Sequence, residues 1–292
     1  MQELPKSGDT NVAISSGLDI QACRLKQNKL IADLRKLDSL LVAFSGGADS
    51  AYLAWAAREA LGDRVLAITA LSPSFSQHDR SEARAFARAN GIRHECIETD
   101  EFANPLYVAN DANRCFHCKD ELFDKMEALA RVRGFAAIAY GVNADDTHEF
   151  RSGHRAAFEH KVLAPLLDAG LCKAEIRLLS REAGLVTWDR PAAACLSSRV
   201  AYETEVTPEL LARIERGEDF LRGLGFRQFR LRVHGELARV EVASDELPRA
   251  LDPAMAARIA DGIKQFGFAY VTLDLEGYRM GSLNVLLKKQ SA

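Results

Sequence analysis

The chain has 292 residues, 48% of them apolar, and its 38 Lys and Arg against 41 Asp and Glu leave a formal net charge of −3. This composition excludes a disordered or fibrous protein and allows one good core with length left for a second, smaller domain. The slight acidity excludes a global basic field, so nucleic acid is not an expected partner unless a local patch supplies the charge.

There is no run of about 18 apolar residues to span a bilayer, and residues 1–17 lack a signal-type apolar core, so a soluble, cytoplasmic protein is expected. Six cysteines are too sparse for a disulfide scaffold and suggest metal or catalytic work. Residues 1–20 read as a flexible N-terminus running into an amphipathic helix over about 20–37. From Leu40 short apolar runs alternate with helical periods, at 40–44, 65–69, around Cys96 and Ile97, and at 136–140. Helices are expected between them over 49–61, 77–90 and 121–132, the last two followed by Gly91 and Gly134 as stop signals. This is the grammar of an α/β, doubly wound parallel sheet, expected over 21–190, whose ligands sit beyond the carboxyl ends of the strands.

Past Pro191 the pattern becomes that of a smaller α+β domain over 191–292, with helices over 208–224 and 247–263, two alternating strands, and a strand near 270–275. In the strand from Phe229 to His234, Phe229, Leu231 and Val233 share one face, and Arg230, Arg232 and His234 the other. Arg239 and Glu241 lie on the polar face of the next strand. Two readings stand for that face: a solvated surface, or guanidinium groups gathered around a phosphorylated or carboxylated ligand.

The strongest local signal is Phe44-Ser45-Gly46-Gly47-Ala48-Asp49-Ser50, at a strand end and a helix start. The glycines let backbone N–H groups turn toward an anion, the serines add hydroxyls, and the helix N-terminus is positive. No Lys follows the glycines, so this is not the Walker-type loop. An ordinary glycine-rich turn is the bland alternative.

Cys115 and Cys118 form a C-x-x-C in Asn113-Arg114-Cys115-Phe116-His117-Cys118-Lys119, expected immediately before a helix. Such a pair serves as a redox couple, half of a zinc site, or two iron–sulfur ligands, or is two unconnected thiols. Cys195 is followed four residues later by Arg199, a cation suited to holding a thiolate. Cys23, Cys96 and Cys172 read as inert thiols.

The S-G-G-x-D-S loop resembles the PP-loop of N-type ATP pyrophosphatases, enzymes that adenylate a substrate and release pyrophosphate. The resemblance makes Ser45, Gly46, Gly47, Asp49 and Ser50 nucleotide contacts, with Asp49 helping to hold Mg²⁺, Ser72 on the adenine side, and Gly141 opening an acidic loop in which Asp145 or Asp146 meets metal or ribose. Together with Asn113 to Lys119, Tyr140 to Asp146, Thr187 to Arg199, Glu205-Val206-Thr207 and His234 to Val242, the loop resembles the LarE family over residues 27–287. These are ATP-dependent sulfur transferases of nickel-pincer nucleotide cofactor synthesis.

The resemblance implies ATP and Mg²⁺ as cosubstrates and pyridinium-3,5-dicarboxylate mononucleotide as the substrate that is adenylated and thiolated. It also implies homo-oligomers and the other enzymes of that cofactor's synthesis as partners, with the sulfur donor unknown. Some members keep only the cysteine matching Cys195 and sacrifice its sulfur. Others hold three, and Cys115, Cys118 and Cys195 place this chain with those that carry a [4Fe-4S] cluster, its fourth iron open to an extra sulfide. A zinc site completed by His117 is the alternative. Arg199 is expected beside the reactive Cys195, and Arg230, Arg232 and Glu241 as substrate or metal contacts. The runner-up readings are a PP-loop tRNA thiolase, which needs a basic RNA-binding surface, and an ATP-dependent amide synthase, which needs no cysteines.

Overall fold

The four apolar runs become strands, the two central ones buried on both faces and the one around Cys96 and Ile97 only partly buried. In chain order, α1 (Ile20–Leu34) leads to β1 (Leu40–Ala43), α2 (Ala48–Leu61), β2 (Val65–Leu71), α3 (Gln77–Ala89) and β3 (His94–Glu98). Then come α4 (Pro105–Val108), α5 (Arg114–Arg133), β4 (Ala137–Tyr140), α6 (Ser152–Glu159), α7 (Pro165–Asp168) and α8 (Lys173–Glu182). The computed structural model describes residues 18–148, 152–191, 194–279 and 281–283. The expected flexible N-terminus up to residue 17, Ala192 and Ala193 of the Cys195 motif, and the end of the resemblance beyond residue 283 lie outside those residues.

The sheet order is β3-β2-β1-β4, all parallel, with Leu41 level with both Leu66 and Ile138. Alternation along the strands divides the core. Leu40, Val42, Val65 and Ala67 pack toward α1, α2, α3 and α8, whereas Leu41, Leu66, Ile68 and Ile138 pack against Phe123 and Met126 of α5 and Ala156 and Ala157 of α6. Helices on both faces explain why these strands read as unbroken apolar runs. The strand order reverses between β1 and β4, so the loops after these two strands flank the topological switch point, where such sheets bind ligands.

The C-terminal portion holds α9 (Pro208–Gly223), β5 (Phe229–His234), β6 (Leu237–Val242), α10 (Leu247–Ala250), α11 (Pro253–Lys264) and β7 (Tyr270–Leu273). β5 and β6 are antiparallel, and β6 and β7 parallel. Leu231, Val233, Val240 and Val242 pack on Leu211, Ile214 and Leu221 of α9 and on Ile259 and Ile263 of α11. The single helix expected over 247–263 is two, because Pro253 starts a new helix that Asp252 caps by accepting the Ala254 and Met255 N–H groups. Among the described residues no helix is long and apolar enough to cross a membrane.

His160, just past α6, is clamped to α5: its Nδ1 lies 3.0 Å from Glu127 and its Nε2 3.0 Å from Asp120. Burial lowers its pKa, but the two carboxylates outweigh that, so it rises above the ordinary histidine value. The stabilisation is therefore complete below the unfolded-state pKa and is lost as pH rises through the folded one. We expect His160→Gln to cost about 1 kcal/mol at about pH 6, a figure limited by screening of the half-exposed carboxylates, and less above about pH 8. Thermal melts of both proteins across that range check the sign; a cost that grew with pH would refute it.

Candidate active site

The loop between β1 and α2 is organised by its own serines. The Ser45 N–H donates to Ser50 Oγ at 3.3 Å, the two hydroxyls lie 3.1 Å apart, and Ser50 Oγ donates to the Gly47 carbonyl at 3.1 Å. Gly46 has φ +74°, which its missing Cβ permits. Its carbonyl accepts from Arg190 Nη1 at 2.7 Å, and Arg190 also pairs with Asp79 at 3.1 Å and with Glu82 on α3. Arg190 thereby fixes the loop against the first turns of α3.

Gly141, at the end of β4, permits a close approach. A Cβ there would lie 2.7 Å from the backbone nitrogen and 2.8 Å from the Cα of Ser50, neither of which can swing aside. We expect Gly141→Ala to cost about 1 to 3 kcal/mol by pushing β4 off the start of α2. An unchanged melting temperature would show the contact to be looser than this.

Asp49, in the first turn of α2, meets the loop after β4. Its Oδ2 accepts from Lys173 Nζ at 2.5 Å and from Asn143 Nδ2 at 3.3 Å, while its Oδ1 is buried without a hydrogen-bond partner. Asp145 accepts the Lys173 N–H at 2.8 Å and Asp146 the Asn143 N–H at 3.2 Å, so each spends an oxygen on backbone. Sequence reasoning missed Lys173 because it lies 124 residues from Asp49 with no local motif around it. Ser72, expected beside adenine, donates to Glu101 Oε1 at 2.6 Å.

α5 begins at Arg114, which corrects the expectation that the C-x-x-C precedes its helix. Cys115 and Cys118 stand one turn apart in its first turns, Cys115 exposed and Cys118 half-buried. Cys195 is exposed and leads into a 3-10 turn, Leu196–Arg199. That turn is bound to the first domain at three points. The Leu196 N–H donates to the Ser74 carbonyl at 2.8 Å, Ser197 Oγ lies 2.6 Å from the buried Tyr107 hydroxyl, and Arg114 Nη1 donates to the Ser197 carbonyl at 2.8 Å. Arg114 is buried and also donates to Asn110.

Cys115 and Cys195 act electrostatically on Cys118. Burial pushes the Cys118 thiol well above its ordinary value, and the charges of Glu101, Cys195 and Cys115 push it further, with Arg114 opposing. Burial lowers the Arg114 guanidinium, but Cys195 and Cys115 raise it to a net increase. Among the described residues, no three of Cys115, His117, Cys118 and Cys195 bring ligand atoms within 4.8 Å of one another. Tetrahedral zinc requires sulfurs roughly 4 Å apart, so the set is more open than a single-zinc site.

The polar face of β5 and β6 is buried, which removes the solvated reading: Arg230 is 9% exposed, Arg232 6% and Glu241 0%. Arg232 Nε donates to Glu241 at 3.1 Å and its Nη1 to the Ser198 carbonyl at 2.8 Å, while Arg239 and Ser282 also bond Glu241. Arg199 forms a two-point pair with Glu218 at 2.9 and 3.0 Å, and its Nη1 donates to the Cys195 carbonyl at 3.0 Å. It therefore holds the backbone of the Cys195 turn. Arg230 donates to the Phe229 carbonyl and lies over the Tyr278 ring; burial and the neighbouring Arg199 lower its pKa, so an anion there is welcome. Arg230 lines a cavity of about 390 Å³ with Ser76, Asp79, Arg190, Arg199 and Arg222, running from the loop side of α3 to β5.

Residues 27–147, from α1 through the loop after β4, match the family described as NAD synthase. The chain is 43% identical over 254 residues to an uncharacterized protein of Synechocystis sp., covering 87% of this chain and 95% of that one. It is 31% identical over 265 residues to the pyridinium-3,5-bisthiocarboxylic acid mononucleotide synthase of Lactiplantibacillus plantarum, covering 90% and 95%. The chain belongs to the LarE family. One component of the glutamine-hydrolyzing GMP synthase of Methanocaldococcus jannaschii is 29% identical over 156 residues, half of each chain. That shorter match fits a LarE-family chain whose PP-loop domain is shared with a GMP synthase.

Proposed function

We propose that this LarE-family chain is an ATP-dependent sulfur transferase that adenylates the carboxylates of pyridinium-3,5-dicarboxylate mononucleotide and converts them to thiocarboxylates for a nickel-pincer cofactor. Three features carry the reading together: a PP-loop with an unpartnered buried Asp49 oxygen, a cavity reaching Arg230, and a Cys195 turn bound by Arg114 at the start of the helix that carries Cys115 and Cys118. Residues 21–190 form the ATP domain, and 191–292 the substrate and sulfur-transfer domain, of a cytoplasmic homo-oligomer.

In the first half-reaction a substrate carboxylate oxygen attacks the α-phosphorus and pyrophosphate leaves. Ser45, Gly46, Gly47 and Ser50 hold the phosphates at the positive end of α2. Asp49 Oδ1 fits Mg²⁺, an ion that neutralises charge on the departing pyrophosphate. Lys173, beside Asp49, supplies a second cation there. Arg230 and Arg232 hold the substrate phosphate and second carboxylate, with Glu241 fixing Arg232.

In the second half-reaction sulfur displaces AMP from the acyl carbon. Cys115, Cys118 and Cys195 are three soft donors that would hold a [4Fe-4S] cluster, and among the described residues no three of them and His117 come within the spacing of a single zinc ion. Such a cluster supplies a rechargeable site for sulfide. Arg199, Arg232, Arg114 and Tyr107 keep the Cys195 turn seated on α5.

Pyrophosphate release from ATP and Mg²⁺ is expected to depend on the dicarboxylated pyridinium nucleotide. Release driven by tRNA and not by this nucleotide would favour the thiolase reading instead.

A further inference from the structure

Arg190, which follows α8 and precedes Pro191, sends a side chain that is 13% exposed back to the loop after β1, where its Nη1 donates to the Gly46 carbonyl at 2.7 Å. Asp79, at 3.1 Å, and Glu82 hold its other terminal nitrogen. Its backbone is fixed as well. Arg177 of α8 donates to the Arg190 carbonyl at 2.7 Å and to the Trp188 carbonyl at 3.2 Å, so the helix that brings Lys173 to Asp49 also seats Arg190.

A trans peptide unit turns its C=O and its N–H to opposite sides. The Gly46 carbonyl and the Gly47 N–H belong to one such unit, and the φ of +74° at Gly46 lets it stand in this orientation. With the carbonyl held by Arg190, the N–H faces the serine side of the loop: it lies 3.4 Å from Ser45 Oγ, itself 3.1 Å from Ser50 Oγ. That contact is long for an N–H donor, so a better acceptor displaces it. Gly47 is also the N-cap of α2 and has no side-chain cap, so this N–H stands at the positive end of the helix.

Resting on the ATP reading above, we infer that Arg190 is a positioning residue for adenylation: by holding the Gly46 carbonyl it aims the Gly47 N–H at the phosphate that the loop receives. The guanidinium lies on the far side of the peptide unit, occupied by Gly46, Asp79 and Glu82, so it acts through the backbone and not by touching that anion.

The full chain, Arg190→Met, Arg190→Lys and Glu82→Gln would be titrated calorimetrically with ATP, with pyrophosphate and Mg²⁺, and with adenosine. Arg190→Met should bind pyrophosphate about tenfold more weakly with its adenosine affinity unchanged, which also shows that it is folded. Arg190→Lys can still donate to the carbonyl and should recover most of the loss. Glu82→Gln, which removes one ion pair and keeps the Gly46 bond, should match the wild type. In protein isotope-labelled at glycine, pyrophosphate should move the Gly47 amide proton downfield in the wild type and leave it in place in Arg190→Met. If Arg190→Met matches the wild type in pyrophosphate affinity, or loses adenosine as much as pyrophosphate, or if the wild-type Gly47 amide does not move, the inference is overturned and the ATP reading stands; a wild type that binds neither ATP nor pyrophosphate overturns both.

Discussion

Asp49→Asn is expected to slow pyrophosphate release by about 10²-fold or more while leaving the fold intact. The carboxylate stands in the first turn of α2, with one oxygen on Lys173 and Asn143 and the other buried and unpartnered. An amide of the same shape loses the charge that, on the proposed mechanism, recruits a divalent cation, and turns one polar end into a donor facing the Lys173 ammonium. The loss should fall on turnover and on Mg²⁺ dependence together, since that ion acts where charge develops on the leaving pyrophosphate. A steady-state assay of pyrophosphate against Mg²⁺ concentration reads both; an unchanged rate would move the cation elsewhere. Lys173→Met should give a smaller loss at the same step.

Cys195→Ser and Cys118→Ser are expected to abolish thiocarboxylate formation while leaving nucleotide-dependent pyrophosphate release nearly unchanged. On the proposed mechanism the two half-reactions use different parts of the molecule: adenylation the loop at the end of β1, and sulfur delivery the thiols between α5 and the turn after Cys195. Serine keeps the volume and the turn, so Leu196, Ser197 and Arg199 retain their bonds to Ser74, Tyr107 and Glu218. Mass spectrometry of the nucleotide alongside a pyrophosphate assay separates the steps. Equal loss of both would make the thiols supports for the adenylating site, and no loss of either would favour an amide-forming enzyme.

The parallel sheet was legible because strands covered on both faces must be apolar throughout, as Leu40 to Ala43 are, and because Gly91 and Gly134 mark the ends of α3 and α5. The start of α5 was not legible. Its first seven residues, Arg114 to Asp120, carry little apolar periodicity, and what seats them is the buried Arg114, a tertiary contact. Alternation in β5 separated Arg230 and Arg232 from Leu231 and Val233 but said nothing of what covers the arginines; the cover is the Cys195 turn, whose carbonyls Arg232 and Arg199 hold. Lys173 was missed because its partner is distant in sequence and a lone Lys at a helix start looks like a solvated charge. The signal that finds it is the ion pair with Asp49 beside that residue's unpaired buried oxygen, visible only after folding.

The most direct test of sulfur transfer is to incubate anaerobically reconstituted protein with the dicarboxylated pyridinium nucleotide, ATP, Mg²⁺ and sulfide, and to weigh both nucleotide and protein. Several thiocarboxylate products per chain with the protein mass intact are the expected result. A single product with the protein lighter by one H₂S at Cys195 would contradict the cluster-based route in favour of a sacrificial one, and an unthiolated nucleotide would contradict sulfur transfer to this substrate altogether.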